Sequence, residues 1–239
     1  MKRLAIRNQI KIIKELKMKR KRIRKTIVLV FFLISAHSGL SQGFVNLDFE
    51  SAKIIPIAGS PYSITVSNAF PGWFLNGSME GQTTYNDPSL GSTGVSLWAT
   101  NGAQISGNFS ALLQAGQASF PATISQTGLV PASVQSLLFQ AQPGRGSLEV
   151  YLGGQSLSFS ALSDGPNYTL YGADISSFAG QAKELMFSAL RVSTGLNNWT
   201  LDNIQFSPSA VPEPSTIALT TLGTVLLGFH RWRKLARRT

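Results

Sequence analysis

From residue 43 to residue 207 apolar and polar positions alternate in short runs, and no apolar stripe recurs at helical spacing. Alternation of period two turns successive side chains to opposite faces of an extended backbone, so each run predicts a half-buried β-strand. The runs lie at Val45–Phe49, Tyr62–Val66, Val95–Ala99, Phe109–Leu113, Ala122–Thr127, Ser136–Gln140, Asn167–Leu170, Glu184–Ala189 and Trp199–Phe206. The clearest unit is Ser147–Leu152, then Gly153-Gly154, then Gln155–Ala161. Two alternating runs about a dipeptide that tolerates positive φ predict a β-hairpin, with Leu157, Phe159 and Ala161 pointing inward. Turn formers separate the other runs, including Pro71-Gly72, Asn101-Gly102, Pro143-Gly144 and Gly165-Pro166. Many short strands at this spacing predict an all-β fold, an antiparallel β-sandwich. In the last run Trp199 and Leu201 share one face while Ile204 and Phe206 have the other parity. An extra residue at Asp202-Asn203, a β-bulge, would restore the phase. Asp174–Gly180 predicts one short helical turn with Asp174 as its N-cap.

The pattern changes at both ends. Residues 19–25 are Lys and Arg apart from one Ile, and Ile27–Ile34 is wholly apolar. Small residues follow at Ser35, Ala36, Ser38, Gly39 and Ser41. A charged n-region, a short apolar core and a small-x-small site predict a signal peptide over residues 1–42, a signal helix cleaved after Ser38 or near Ser41. The basic stretch upstream makes the n-region long, so translation is expected to start at Met18; a basic amphipathic leader is the alternative. At the other end, a Pro-rich linker (208–215) carries Pro212-Glu213-Pro214. An apolar run, 216–230, follows it, and then a tail, 231–239, with five Arg and Lys. The order predicts a transmembrane helix with its basic end in the cytoplasm. From Thr216 to Phe229 the run is only about 21 Å long, against roughly 30 Å of hydrocarbon, a marginal permanent anchor.

This box, span and basic end resemble the PEP-CTERM sorting tail of exported bacterial proteins. The resemblance implies an exosortase-type membrane protease as partner, acting after the export machinery, with Pro212, Glu213 and Pro214 as the sorting motif. It also implies transient anchoring in the inner membrane, then delivery to the cell surface or extracellular matrix. An ordinary single-span anchor on a Pro-rich stalk is the alternative.

The formal net charge of +10 needs locating before it is interpreted. Residues 1–25 hold 12 of the 21 Lys and Arg, and the last ten residues hold five. Between them stand four cations against nine acids from Asp48 to Asp202, a net charge of −5. Affinity for nucleic acid comes from cations neutralising phosphates, so this argues against a nucleic-acid partner. There is no cysteine, so packing alone must stabilise the domain.

Both histidines, His37 and His230, fall outside the domain. Triad, Cys-His and histidine-zinc chemistry are thereby excluded from it. A carboxylate pair of the glycosidase kind stays open, from Glu50, Glu80, Asp87, Glu149, Asp164 and Asp174, but no spacing singles out two. The domain is expected not to be an enzyme, with a glycoside hydrolase as the distant alternative. A non-catalytic module that binds exopolysaccharide is expected instead, and a purely structural surface protein is the nearer alternative. Trp73, Tyr85 and Trp98, with the amide-rich loop 76–87, are the candidate ligand contacts, each set against a core position. Four Asn-x-Ser/Thr sequons, at Asn76, Asn108, Asn167 and Asn198, suit chance in so Asn- and Ser-rich a chain.

Asn46–Glu50, Pro71–Trp73 and Leu201–Phe206 together make the domain similar to jelly-roll modules of the galactose-binding, carbohydrate-binding type. That resemblance implies a jelly-roll-like sandwich whose first and last strands lie close, with a structural calcium beside them. Glu50 and Asp202, and with them Asp48, are the metal positions it implies; no other cofactor is expected.

Overall fold

The computed structural model describes residues 43–76, 81–86, 94–99, 104–116 and 120–211, all within the compact unit that begins at Gln42. The signal helix expected over 1–42, the Pro212-Glu213-Pro214 box, the span at 216–230 and the tail at 231–239 lie outside them. Among the described residues no helix is long and apolar enough to cross a membrane.

The fold is all-β, in two sheets that do not close into a barrel. The larger comprises β1 (Pro56–Ile57), β2 (Ser60–Thr65), β4 (Gln82–Tyr85), β5 (Gly94–Ala99), β6 (Phe109–Ala115), β8 (Ser136–Gln142), β11 (Phe159–Asp164), β12 (Thr169–Asp174) and β14 (Asn197–Ser207). Their order across the sheet is β1-β2-β4-β5-β6-β14-β8-β12-β11. The smaller comprises β3 (Phe74–Asn76), β7 (Ala122–Leu129), β9 (Leu148–Leu152), β10 (Gln155–Ser156) and β13 (Ala182–Ala189), in the order β10-β9-β13-β7-β3.

The period-two pattern explains why two sheets meet. Ile124, Val150, Leu185 and Phe187 face inward from the smaller sheet, and Leu97, Leu113, Leu137 and Leu201 from the larger, all fully buried in one core. Each such side chain contributes about 1.5–3 kcal/mol by leaving water. Phe139 of β8 and Phe187 of β13 join the layers edge to face, ring centroids 5.2 Å apart.

Most predicted runs are strands, with ends shifted by a few residues. The bulge stands where the phase change requires it: between the pairs Asp202–Gln140 and Gln205–Leu138, two residues of β14, Asn203 and Ile204, oppose one of β8, Phe139, and Asn203 has φ +45°. Asp174–Gly180 forms a single 3-10 turn, Ser176–Phe178; Asp174 ends β12 instead of capping formally, yet its carboxylate accepts the Ser176 N–H at 2.8 Å.

Other expectations are corrected. Val45–Phe49 is not a strand, because Asn46 and Phe49 take φ of +51° and +59° and break the extended path. Its backbone groups go elsewhere: the Asn46 carbonyl accepts the Trp73 indole N–H, and the Leu47 carbonyl accepts the Ile204 N–H. The Gly153-Gly154 turn forms, at φ +61° and +78°, but the returning strand is two residues long. The chain then crosses to the larger sheet as β11, so Leu157 is buried, Phe159 half-buried and Ala161 exposed. Strands β1, β3 and β4 were not anticipated, since two to four residues are too few for alternation to register. Nor is the pairing wholly antiparallel, since β4 and β5 run parallel.

Candidate functional site

The sandwich brings its first and last segments together on one loop. Residues 46–51 form a turn in which Asn46 Oδ1 accepts the Ser51 N–H, and this sets Glu50 against residues 107–109. Glu50 Oε1 accepts the backbone N–H groups of Asn108 (2.7 Å) and Phe109 (3.0 Å), and Oε2 accepts the Asn108 side-chain amide (2.9 Å). From β14, Asp202 Oδ2 accepts the Ser106 N–H (3.0 Å) and the Ser110 hydroxyl (2.7 Å), while Oδ1 accepts the Asn203 N–H. Burial pushes Asp202 up to about 6 from the usual 3.8, against the lowering effect of these hydrogen bonds, and nearby Glu50 adds repulsion.

Glu50 and Asp202 are thus brought to the same loop, but Asp48 is not. Its carboxylate is exposed and accepts the Glu50 backbone N–H at 3.3 Å. Among the described residues no group of three acids, histidines or cysteines converges. Each carboxylate oxygen has two acceptor positions. Oε1 of Glu50 and Oδ2 of Asp202 use both, which leaves one on each remaining oxygen. Gln140 Oε1, across the ladder from Asp202, is buried without a hydrogen-bond partner and would add a third. Calcium takes six to eight oxygens. Side chains alone thus offer too few oxygens for calcium, and the Glu50 and Asp202 carboxylates are engaged by N–H and hydroxyl donors of residues 106–110 and by the Asn203 N–H.

The three candidate ligand aromatics separate. Trp73 is 4% exposed, 5.7 Å from the Phe49 ring, and its indole N–H donates to Asn46; it is a core residue with no free face. Trp98 is half-buried on β5. Tyr85 is half-buried and leans on the core, with its ring 6.4 Å from Tyr62, which is 62% exposed. Tyr62, which opens a predicted strand but was not among the candidate contacts, has the parity of fully buried Ile64. Phe74, 74% exposed, and Tyr151 were missed as well. Both have the outward parity, Phe74 on a strand too short for alternation to register and Tyr151 beside core-facing Val150. An apolar cleft of about 460 Å³ lies beside the last strand, where Phe44 stacks on Phe206 at 4.8 Å; none of its lining residues is ionisable.

Residues 210–234 match the PEP-CTERM protein-sorting motif. That motif implies export, anchoring in the membrane before processing, and processing by exosortase, itself a membrane protein. No curated protein matches the chain. Among solved structures it is similar to the enzymatically active domain of tailspike protein 4 of bacteriophage CBA120, at 11% identity and a TM-score of 0.38. The alignment covers 70% of this chain and 21% of that one, a likeness too slight to bear on activity.

Proposed function

We propose that the chain is exosortase cargo whose jelly-roll-like sandwich is a non-catalytic component of the cell surface or extracellular matrix, there binding exopolysaccharide. The observation that carries the reading is the junction: β14 ends at Ser207 and the sorting motif begins at residue 210. The folded cargo is therefore joined to its address with almost no spacer. Binding is supported by the exposed Tyr62 ring beside Tyr85, since sugars offer apolar C–H faces to aromatic rings. The reading needs no cofactor, because the Glu50 and Asp202 carboxylates hold the 104–110 loop themselves. It includes no nucleic-acid partner, because Lys and Arg are few between the two ends.

Intact mass of the protein recovered from its native envelope and medium tests the reading. The expected result is a species lacking the segment beyond Pro212-Glu213-Pro214, and an unprocessed species when all three are replaced by alanine. A full-length tail in both would overturn sorting and leave a membrane-tethered domain.

A further inference from the structure

The register of the smaller sheet places one residue from each strand in a single transverse row. Ser156 pairs with Tyr151, Tyr151 with Met186, Met186 with Ser125, and Ser125 with Phe74. The neighbours Leu75, Ile124, Phe187 and Val150 pack into the core, so alternation turns the row to the outer face. Phe74 and Tyr151 stand three strand spacings apart, about 14 Å, with Met186 and Ser125 between them. A second row, one pleat along, reads Glu149, Ser188, Thr123, Asn76, and on the other side Glu184 pairs with Thr127.

Three features make this more than an exposed sheet face. Phe74 is an apolar ring 74% exposed on a three-residue strand, where packing gives it no employment. Tyr151 has its hydroxyl hydrogen-bonded to the Glu149 carboxylate, which fixes the ring in advance and so lowers the entropic cost of binding. The rows carry two carboxylates, Glu149 and Glu184, and no Lys or Arg. Such a face repels polyanions and offers charged acceptors to hydroxyl groups, which form the stronger hydrogen bonds.

We propose that this row is a platform for one neutral polysaccharide chain lying across the strands. Phe74 and Tyr151 stack on sugar rings at its two ends, and Asn76, Thr123, Glu149 and Glu184 take hydroxyls along its flanks. The platform rests on the reading that the sandwich binds polysaccharide, and assigns it to a face separate from Tyr62 and Tyr85.

Affinity electrophoresis of the exported protein tests it, in gels containing mixed-linkage β-glucan, xylan or galactomannan, with alginate as the anionic comparison. Retardation by at least one neutral polymer and none by alginate is expected. Phe74→Ala and Tyr151→Ala should each weaken it about tenfold with no change in melting temperature, and Tyr151→Phe, which keeps the ring, should retain most of it. Retardation that survives the Phe74→Ala/Tyr151→Ala double variant but disappears in Tyr62→Ala/Tyr85→Ala overturns the platform and leaves polysaccharide binding standing. No retardation by any neutral polymer overturns both. An oligomer that Phe74→Ala disperses, without retardation, would make the face a contact between copies and equally overturn the platform.

Discussion

Ser110 donates its hydroxyl hydrogen to Asp202 Oδ2 at 2.7 Å, and both residues are buried although 92 positions apart in the chain. The bond ties β6 to the bulge of β14. Its acceptor is a carboxylate that, among the described residues, pairs with no Lys or Arg, and three consequences follow from this end of the sandwich.

Stability should fall as pH rises through the window set by Asp202. Its folded pKa, about 6, lies above the ordinary 3.8, so between those values the folded state holds a proton that the unfolded chain has released. The contribution is most favourable below about pH 4, declines towards 6 and is then flat, with a total of at most about 3 kcal/mol. The bound proton supplies a donor on the face where buried Gln140 Oε1 has none. Asp174, held low by the Ser176 N–H, acts in the opposite sense: its contribution is lost as pH falls below the ordinary carboxylate range. Urea midpoints across this range should show the decline in the parent and a flat profile in Asp202→Asn. A parent profile that rises from pH ~4 to ~6 would contradict it.

Glu50 should stabilise the loop it grips. Three donors lose their acceptor in Glu50→Ala, but the site is half-exposed and water replaces part of the loss. About 2 kcal/mol is expected, or roughly 4–8 °C in melting temperature. Gly107, at φ +57°, lies so close that an added Cβ would collide with the Glu50 carboxylate. Gly107→Ala should therefore be destabilising, and less so when Glu50 is already Ala, because the clash is gone and only backbone strain remains. Millimolar calcium should leave the parent's melting temperature unchanged. A rise that is lost in Glu50→Ala would show a metal site after all.

Trp73 should behave as a core residue. Trp73→Ala removes a buried ring and leaves the Asn46 carbonyl without its indole donor, at a cost of about 3–5 kcal/mol. Trp73→Phe, which keeps most of the volume, should cost about 1–2 kcal/mol, mainly the lost hydrogen bond. Chemical denaturation measures both. A folded, fully stable Trp73→Ala that had merely lost polysaccharide binding would refute the placement.

Local features of the chain proved legible. The alternation marked most of the strands, Gly153-Gly154 the tight turn, and the parity change at Asp202-Asn203 the bulge, because each depends on a few consecutive residues. Val45–Phe49 misled for the complementary reason. Its apolar alternation resembles a strand, but Asn46 and Phe49 take positive φ to satisfy Trp73, Ser51 and Ile204, partners far away or round a turn.

The sorting motif, Pro212-Glu213-Pro214 with the apolar run and basic end that follow it, is a pattern of consecutive residues, and so was available from the amino-acid order alone. So were the all-β class and the exclusion of histidine and cysteine chemistry, which need only periodicity and composition. Tertiary structure alone decided which aromatic rings are free. Strand parity assigns a side chain to one of two faces, but whether a second layer covers that face depends on sheet order and register between distant strands. Trp73 was thereby buried and Phe74, its neighbour in the chain, left exposed in line with Tyr151. The same long-range packing drew Glu50 and Asp202 onto one loop, left Asp48 outside it, and set backbone N–H donors against both carboxylates.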